Sequence, residues 1–206
     1  MGSRKRDPGQ RRYSAVAIAL HWTIAASILL LLISGLWMTD AINVPDTRAN
    51  AFAVYQWHKS LGLSVLVLSF ARLAWRLVNP PPPLPADMGR LERLAAHTTH
   101  VAFYVLMIGM PLLGWAMVSA SVFGLPTIVF GLFEWPHIPM LSGLEDKAPV
   151  EAALKAAHST GGYLMIALLA LHVLAALKHH FVDRDHVLTR MLPVLSTRRA
   201  ANEGTQ

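Results

Sequence analysis

Hydrophobic positions in this chain gather into four long runs, roughly Ala15 to Met38, Phe52 to Val78, Leu94 to Ala120 and Ala152 to Phe181. A helix rises 1.5 Å per residue, so about 20 apolar residues cross the hydrocarbon core of a bilayer. Each run is long enough, and each predicts a transmembrane helix. The first run follows basic residues, as the core of a signal peptide does. It extends over about 24 residues, however, and carries His21 and Trp22 inside it, too long for a typical signal core. It is read as a retained anchor. The proline-rich stretch Asn79 to Pro85 cannot continue a helix, so it closes the second span and leads stiffly into the third. Pro111 is expected to kink the third span. The segment from Ser121 to Val150 is apolar in its first half (SVFGLPTIVFGLF) and acidic in its second. It is expected to lie on or dip into the outer interface and cover one end of the bundle. No internal repeat or soluble domain is visible, and the expectation is one all-α integral membrane domain over residues 1–206, a four-transmembrane-helix bundle.

Composition agrees with this reading. Hydrophobic residues make up 54% of the chain and charged ones 15%, where soluble domains carry about a quarter charged, and the mean hydropathy is +0.42. That argues against a soluble enzyme. The absence of cysteine excludes disulfides, thiolate nucleophiles, cysteine-held zinc, iron–sulfur clusters and covalently attached c-type haem. A net charge of +6 raises the question of nucleic acid, but such binding needs a basic face on a polar domain. Here the basic residues flank the apolar runs. The N-terminal tail (Arg4, Lys5, Arg6, Arg11, Arg12), the second connection (Arg72, Arg76, Arg90, Arg93) and the C-terminal end (Lys178, Arg184, Arg190, Arg198, Arg199) hold fourteen of the eighteen Lys and Arg residues. By the positive-inside rule both termini are then cytoplasmic, and Arg48, Lys59, Lys147 and Lys155 lie outside. The partner this implies is a membrane surface, with no nucleic acid.

Candidate chemistry lies in the histidines, because a titratable side chain within hydrocarbon is costly. His21 falls in span 1, His58 in span 2, and His158 and His172 in span 4. The last two are fourteen residues apart, close to four turns, which places them on one helix face about 21 Å apart along the axis. Counting from the ends of each span, His58 matches His158 in depth on the outer side and His21 matches His172 on the inner. Neutral imidazole is the natural axial ligand of an electron-transferring haem b, so this pattern predicts two b haems held by His58 with His158 and by His21 with His172. Interhelical hydrogen bonding or a proton relay is the alternative use of four such residues. His58 and His158 are each followed four residues later by glycine, Gly62 and Gly162. At that spacing the missing Cβ leaves room either for a flat macrocycle or for close helix packing.

The remaining histidines divide by position. His97 and His100 begin span 3 on one face, as interfacial residues, a metal pair or alternative ligands. His179, His180 and His186 sit at the basic inner end, facing lipid phosphate or haem propionate, and His137 lies in the outer loop. Arg72 and Arg76 suit either propionates or lipid headgroups.

Several strings together carry a family resemblance: YSAVAIALHW; HKSLGLSVLVLSFARLAWRL followed by NPPPP; HTTHVAFYVLMIGMPLLGW; and HSTGGYLMIALLALHVLAALKHHF with DHVLTRMLP. They resemble the bacterial cytochrome b561 family over nearly the whole chain, from Tyr13 to Pro193. The resemblance implies a four-helix inner-membrane protein with two non-covalent b haems on the residues matching His21, His58, His158 and His172, and ubiquinone as redox partner. It also implies that some members oxidise superoxide at the outer face, while others are relay subunits for a partner dehydrogenase or hydrogenase. Lys59, beside His58, and Lys155, one turn before His158, are candidate steering residues for superoxide; ordinary interfacial snorkelling is their other reading. No motif marks the quinone site.

Overall fold

The structure, a computed structural model, describes residues 12–84, 88–185 and 187–192. Arg4, Lys5, Arg6, Arg11, Arg198, Arg199 and His186, used above, lie outside the described residues. Four long helices dominate: α1 (Ala15–Ala41), α2 (Arg48–Val78), α3 (Arg90–Ser119) and α5 (Ala148–Phe181), with the short α4 (Pro139–Ser142) before the last. All four long helices have the length and apolarity to cross a membrane. They exceed the apolar runs by up to a turn or so, because polar residues at the interface continue a helix as readily as apolar ones. Ser14 caps α1 by accepting the Ala17 N–H (3.2 Å), the bond expected of an N-cap serine. α2 stops at Asn79, where the prolines begin, while α3 runs unbroken through Pro111.

Packing within the bundle is uneven. α1 lies along α2, α2 along α3 and α3 along α5, whereas among the described residues α5 has no comparable packing on α1 or α2. A gap therefore separates α5 from the first two helices. Midway along it sits an apolar layer of Ile24 and Ile28 from α1, Met107 from α3 and Met165 from α5, flanked by Leu32, Leu68 and Phe103. Small buried serines (Ser27, Ser69) leave room for close approach of neighbouring helices. Leu30, Ile33, Val67, Leu171 and Leu174 are exposed, as lipid-facing side chains of a membrane bundle must be.

Both ends of the bundle are tied. At the end that carries Ser14 and Leu192, hereafter the terminal end, Trp22 Nε1 donates to the Met191 carbonyl (2.9 Å) and Arg190 to the Pro83 carbonyl (2.7 Å), holding the turn at 187–191 across α1 and the proline-rich connection. At the opposite end the segment after α3 forms a two-stranded antiparallel ribbon, β1 (Thr127–Val129) and β2 (Phe133–Trp135). This ribbon is absent from the sequence reading, which expected only an interfacial stretch. Its turn holds Phe130 and Gly131 at positive φ (49° and 75°). Glycine adopts this readily; for phenylalanine it costs about 1–2 kcal/mol, offset by the edge contact of its ring with Trp57 (5.4 Å between centres) and by its N–H bond to Ser60 Oγ (3.0 Å).

The ribbon is stitched to the helices by side chains that satisfy its backbone. Gln56 donates to the Pro126 carbonyl (3.0 Å) and accepts from Ile128 N–H (3.1 Å). Trp115 Nε1 donates to the Pro136 carbonyl (2.8 Å) and Ser119 Oγ accepts from Ile138 N–H (2.9 Å). Glu151, only 5% exposed, accepts from Val122 N–H (2.8 Å), Ser121 Oγ (3.3 Å) and Lys155 Nζ (2.8 Å).

Candidate haem sites

The four histidines singled out by depth form two pairs across the gap beside α5. His58 of α2 faces His158 of α5 with ring centres 6.4 Å apart at 67°. His21 of α1 faces His172 of α5 with ring centres 6.3 Å apart at 66°. Met165 lies midway between the two α5 histidines in sequence and belongs to the apolar layer, so one pair sits at the ribbon end of that layer and the other at the terminal end. Imidazole–metal bonds of about 2.0 Å, the length known for zinc, put two rings on opposite sides of one metal ion roughly 6 Å apart centre to centre. Both pairs have that separation.

His172 has a second neighbour at the same distance, the ring of His100 (6.2 Å). The two arrangements differ in what lies between the rings' helices. α3, which carries His100, packs directly on α5, whereas α1, which carries His21, does not. A macrocycle needs an open slot between the backbones that present its ligands, and the gap beside α5 lies on the side of α1 and His21.

Local partners prepare the ribbon-end pair. Ser34 Oγ donates to the Leu31 carbonyl (3.2 Å) and lies 3.0 Å from His58 Nδ1. A hydroxyl has one hydrogen; with it committed to Leu31, Oγ accepts Nδ1–H and leaves the Nε2 lone pair for a metal. His158 Nδ1 is buried without a well-formed partner. Gly35 and Gly114 press against these two rings: a Cβ at Gly35 would come within 3.2 Å of His58 Cε1, and one at Gly114 within 3.3 Å of His158 Cε1. Neither glycine was singled out from the sequence, because each lies on a helix other than the one bearing the ring it touches. At Gly62 and Gly162 an added Cβ would meet nothing within 4 Å, so these two border open space. The glycine that serves close packing is Gly161, against Met110.

The family model described as prokaryotic cytochrome b561 matches residues 12–194. The chain belongs to the prokaryotic cytochrome b561 family. This b561 protein is 32% identical to cytochrome b561 homolog 2 of Escherichia coli K12, over 88% of this chain and 91% of the relative. It is 31% identical to a Yersinia pestis protein named probable superoxide oxidase CybB, over 89% of this chain and 97% of the relative. It is also 29% identical to a cytochrome b562 of Cereibacter sphaeroides, over 91% and 97%. It is thus a multi-pass bacterial membrane protein of electron transport, an oxidoreductase at the level of its family, whose cofactor is b-type haem. The residues present fit that cofactor: facing imidazoles at the spacing of one shared metal ion, a slot between unpacked helices, and glycines bordering it.

Four further predicted residues are held by contacts of their own. Lys59 Nζ donates to the neutral Pro126 carbonyl (2.7 Å), while Lys155 is paired with Glu151 (2.8 Å). His179 Nδ1 is held by Asp185 (2.7 Å) and Asp183 (3.1 Å), and Lys178 bridges Glu92 and Asp183; these contacts fasten the end of α5 to α3 and the C-terminal turn. His97 Nδ1 bonds the Arg93 carbonyl (2.8 Å).

Proposed function

We propose that this b561 protein is a superoxide:ubiquinone oxidoreductase of the inner membrane, with both termini cytoplasmic and the ribbon outside. The overall reaction converts two superoxide ions, one quinone and two protons into two dioxygen molecules and one quinol. The observation that carries the reading is the repetition of one imidazole geometry, 6.4 Å at the ribbon end and 6.3 Å at the terminal end, along a single helix. Two redox centres stacked across the bilayer are what a path from an outer donor to a quinone requires. Bound haem b supplies a reversible one-electron couple at each position.

Each residue has a defined task. His58 and His158 hold the outer haem, and Ser34 orients His58. His21 and His172 hold the inner one. The apolar layer around Ile28, Met107 and Met165 keeps water from the interior between them. Lys59, one residue from His58 and bonded to a neutral carbonyl, presents positive charge to an approaching anion; Lys155 contributes little because Glu151 balances it. The Yersinia pestis relative, named as a probable superoxide oxidase, supports superoxide as donor.

The test is spectroscopic and then kinetic. Purified protein should contain two low-spin, non-covalent haems per chain, become reduced on mixing with superoxide, and reoxidise on adding a soluble ubiquinone. Intact di-haem protein that superoxide reduces only slowly would instead identify a relay subunit serving a partner dehydrogenase or hydrogenase.

A further inference from the structure

The ribbon does not sit above the start of α2 but beside that helix. Gln56 and Lys59 both donate to the Pro126 carbonyl (3.0 and 2.7 Å), and Ile128 N–H donates to Gln56 Oε1 (3.1 Å). Ser60 Oγ accepts the Phe130 N–H (3.0 Å) and lies 3.3 Å from the Ile128 carbonyl. Ser60 is twelve residues beyond Arg48, where α2 begins, which is about 18 Å along the axis at 1.5 Å per residue. The hydrocarbon core takes up about 20 helical residues; counted back from Arg72, where the basic residues of the terminal end begin, it starts near Phe52. The stretch of α2 that carries the ribbon, Gln56 to Ser60, therefore lies inside that boundary, level with His58.

Two further features suit that depth. One edge of β1 pairs with β2; toward α2 the Pro126 carbonyl, the Ile128 N–H and carbonyl and the Phe130 N–H each have an α2 side chain within hydrogen-bond distance. Water would satisfy such groups unaided, whereas in hydrocarbon each one left free is costly. The tip of the ribbon is apolar and uncovered. Leu132, in the turn, is 80% exposed and Phe133 53%, and the exposed Trp57 of α2 makes edge contact with Phe130, so these side chains extend the lipid-facing surface of the bundle. Glu134, exposed in β2, sets the limit of depth: it stands two residues from Leu132, about 7 Å along a strand, and a carboxylate belongs at the headgroups.

We infer that the ribbon is a re-entrant hairpin whose turn, residues 130–133, enters the acyl chains of the adjoining lipid leaflet, with Glu134 at the headgroups. Its partner is phospholipid, met through Leu132 and Phe133. Burial of these side chains among acyl chains presses the ribbon onto α2 and keeps the Pro126 carbonyl on Lys59, the neighbour of His58. The inference holds whichever donor the haems serve, because it depends only on the four helices crossing a membrane.

The chain has no cysteine, so a single introduced one can be labelled with a nitroxide. Full-length, haem-loaded Leu132→Cys, Phe133→Cys and Glu134→Cys, each with the absorption spectrum of the parent, are labelled and placed in vesicles of phosphatidylethanolamine and phosphatidylglycerol. Val67→Cys, on the exposed side of α2, serves as the lipid reference and Glu145→Cys, exposed in the loop before α5, as the water reference. Power-saturation electron paramagnetic resonance then compares collisions with dioxygen, which concentrates in acyl chains, and with a water-soluble nickel chelate. Labels at 132 and 133 should show a ratio of dioxygen to nickel collisions severalfold above that at 145 and approaching that at 67, and the label at 134 should lie nearer 145. A ratio at 132 and 133 equal to that at 145 would put the tip in water and overturn the inference. Low collision rates with both reagents, with spin–spin broadening at full labelling, would make the tip a contact between two copies and also overturn it. The unaltered protein gives an independent reading: a phospholipid with a diazirine in its acyl chain should, on illumination, label the peptide containing residues 130–133, and labelling confined to the long helices would overturn the inference.

Discussion

Gly114 of α3 lies so close to the imidazole of His158 that a Cβ on it would stand 3.3 Å from Cε1, and Gly35 of α1 stands in the same relation to His58 at 3.2 Å. One glycine backs each ring of the ribbon-end pair. Together they hold the two rings toward the gap beside α5. The terminal-end pair is backed differently, by the ring of Phe103 against His172 (5.2 Å).

Gly114→Ala and Gly35→Ala should therefore displace the outer rings by a few tenths of an ångström and lower outer-haem occupancy, leaving the inner haem intact. Gly62→Ala and Gly162→Ala border open space and should also lower haem content, but without disturbing the haem-free bundle. Gly161→Ala, against Met110, should instead lower the thermal midpoint of the haem-free protein. Haem titration and circular dichroism melting of the set separate the two behaviours.

His172→Ala should empty or perturb the inner haem and spare the outer, because fourteen residues separate it from His158 on α5 and the Met165 layer lies between. Redox-resolved absorption spectra check this. An unchanged spectrum, or a parent with one haem, would contradict the pairing.

Glu151→Ala should destabilise the ribbon end by about 2–3 kcal/mol, since it removes a buried acceptor from three donors, Val122 N–H, Ser121 Oγ and Lys155 Nζ. Limited proteolysis should then cut between Ser121 and Pro126 faster than in the parent. Unchanged cleavage would mean that Gln56, Ser60 and Ser119 suffice to hold the segment.

Lys59→Gln should lower the second-order rate of haem reduction by superoxide about two- to threefold at low salt and flatten its ionic-strength dependence, because such a field is screened within about 10 Å at 0.1 M. Lys155→Gln should have a smaller effect, its charge being balanced by Glu151. Reduction by an uncharged donor should not change in either variant. Stopped-flow measurements over a salt series decide it.

A reporter fused after Gln206 should be cytoplasmic and one inserted near Ser142 exported, as the distribution of Lys and Arg requires. The reverse result would exchange the faces of the two haem sites and remove superoxide as an outer-face donor.

Four spans, the stop at Asn79 and four histidines at two depths are legible in the sequence, because each depends on local quantities: the length of an apolar run, the missing N–H of proline, and the fixed rise of a helix. By the same local logic Gly62 and Gly162 could be placed beside their histidines. Which helices stay apart is not a local quantity. The gap between α5 and α1, which distinguishes His21 from His100 as neighbours of His172, comes from the packing of all four helices. Gly35 and Gly114 gain their meaning only when two distant segments meet. The ribbon at Thr127–Trp135, too short to show an alternating pattern, is held by Gln56 and Ser60, and Lys155, which in sequence is a free cation near His158, is neutralised by Glu151. One-dimensional periodicity sets the depth of a side chain in the membrane; its partner across the bundle is set by tertiary packing, since helix rotation and separation depend on every interface at once.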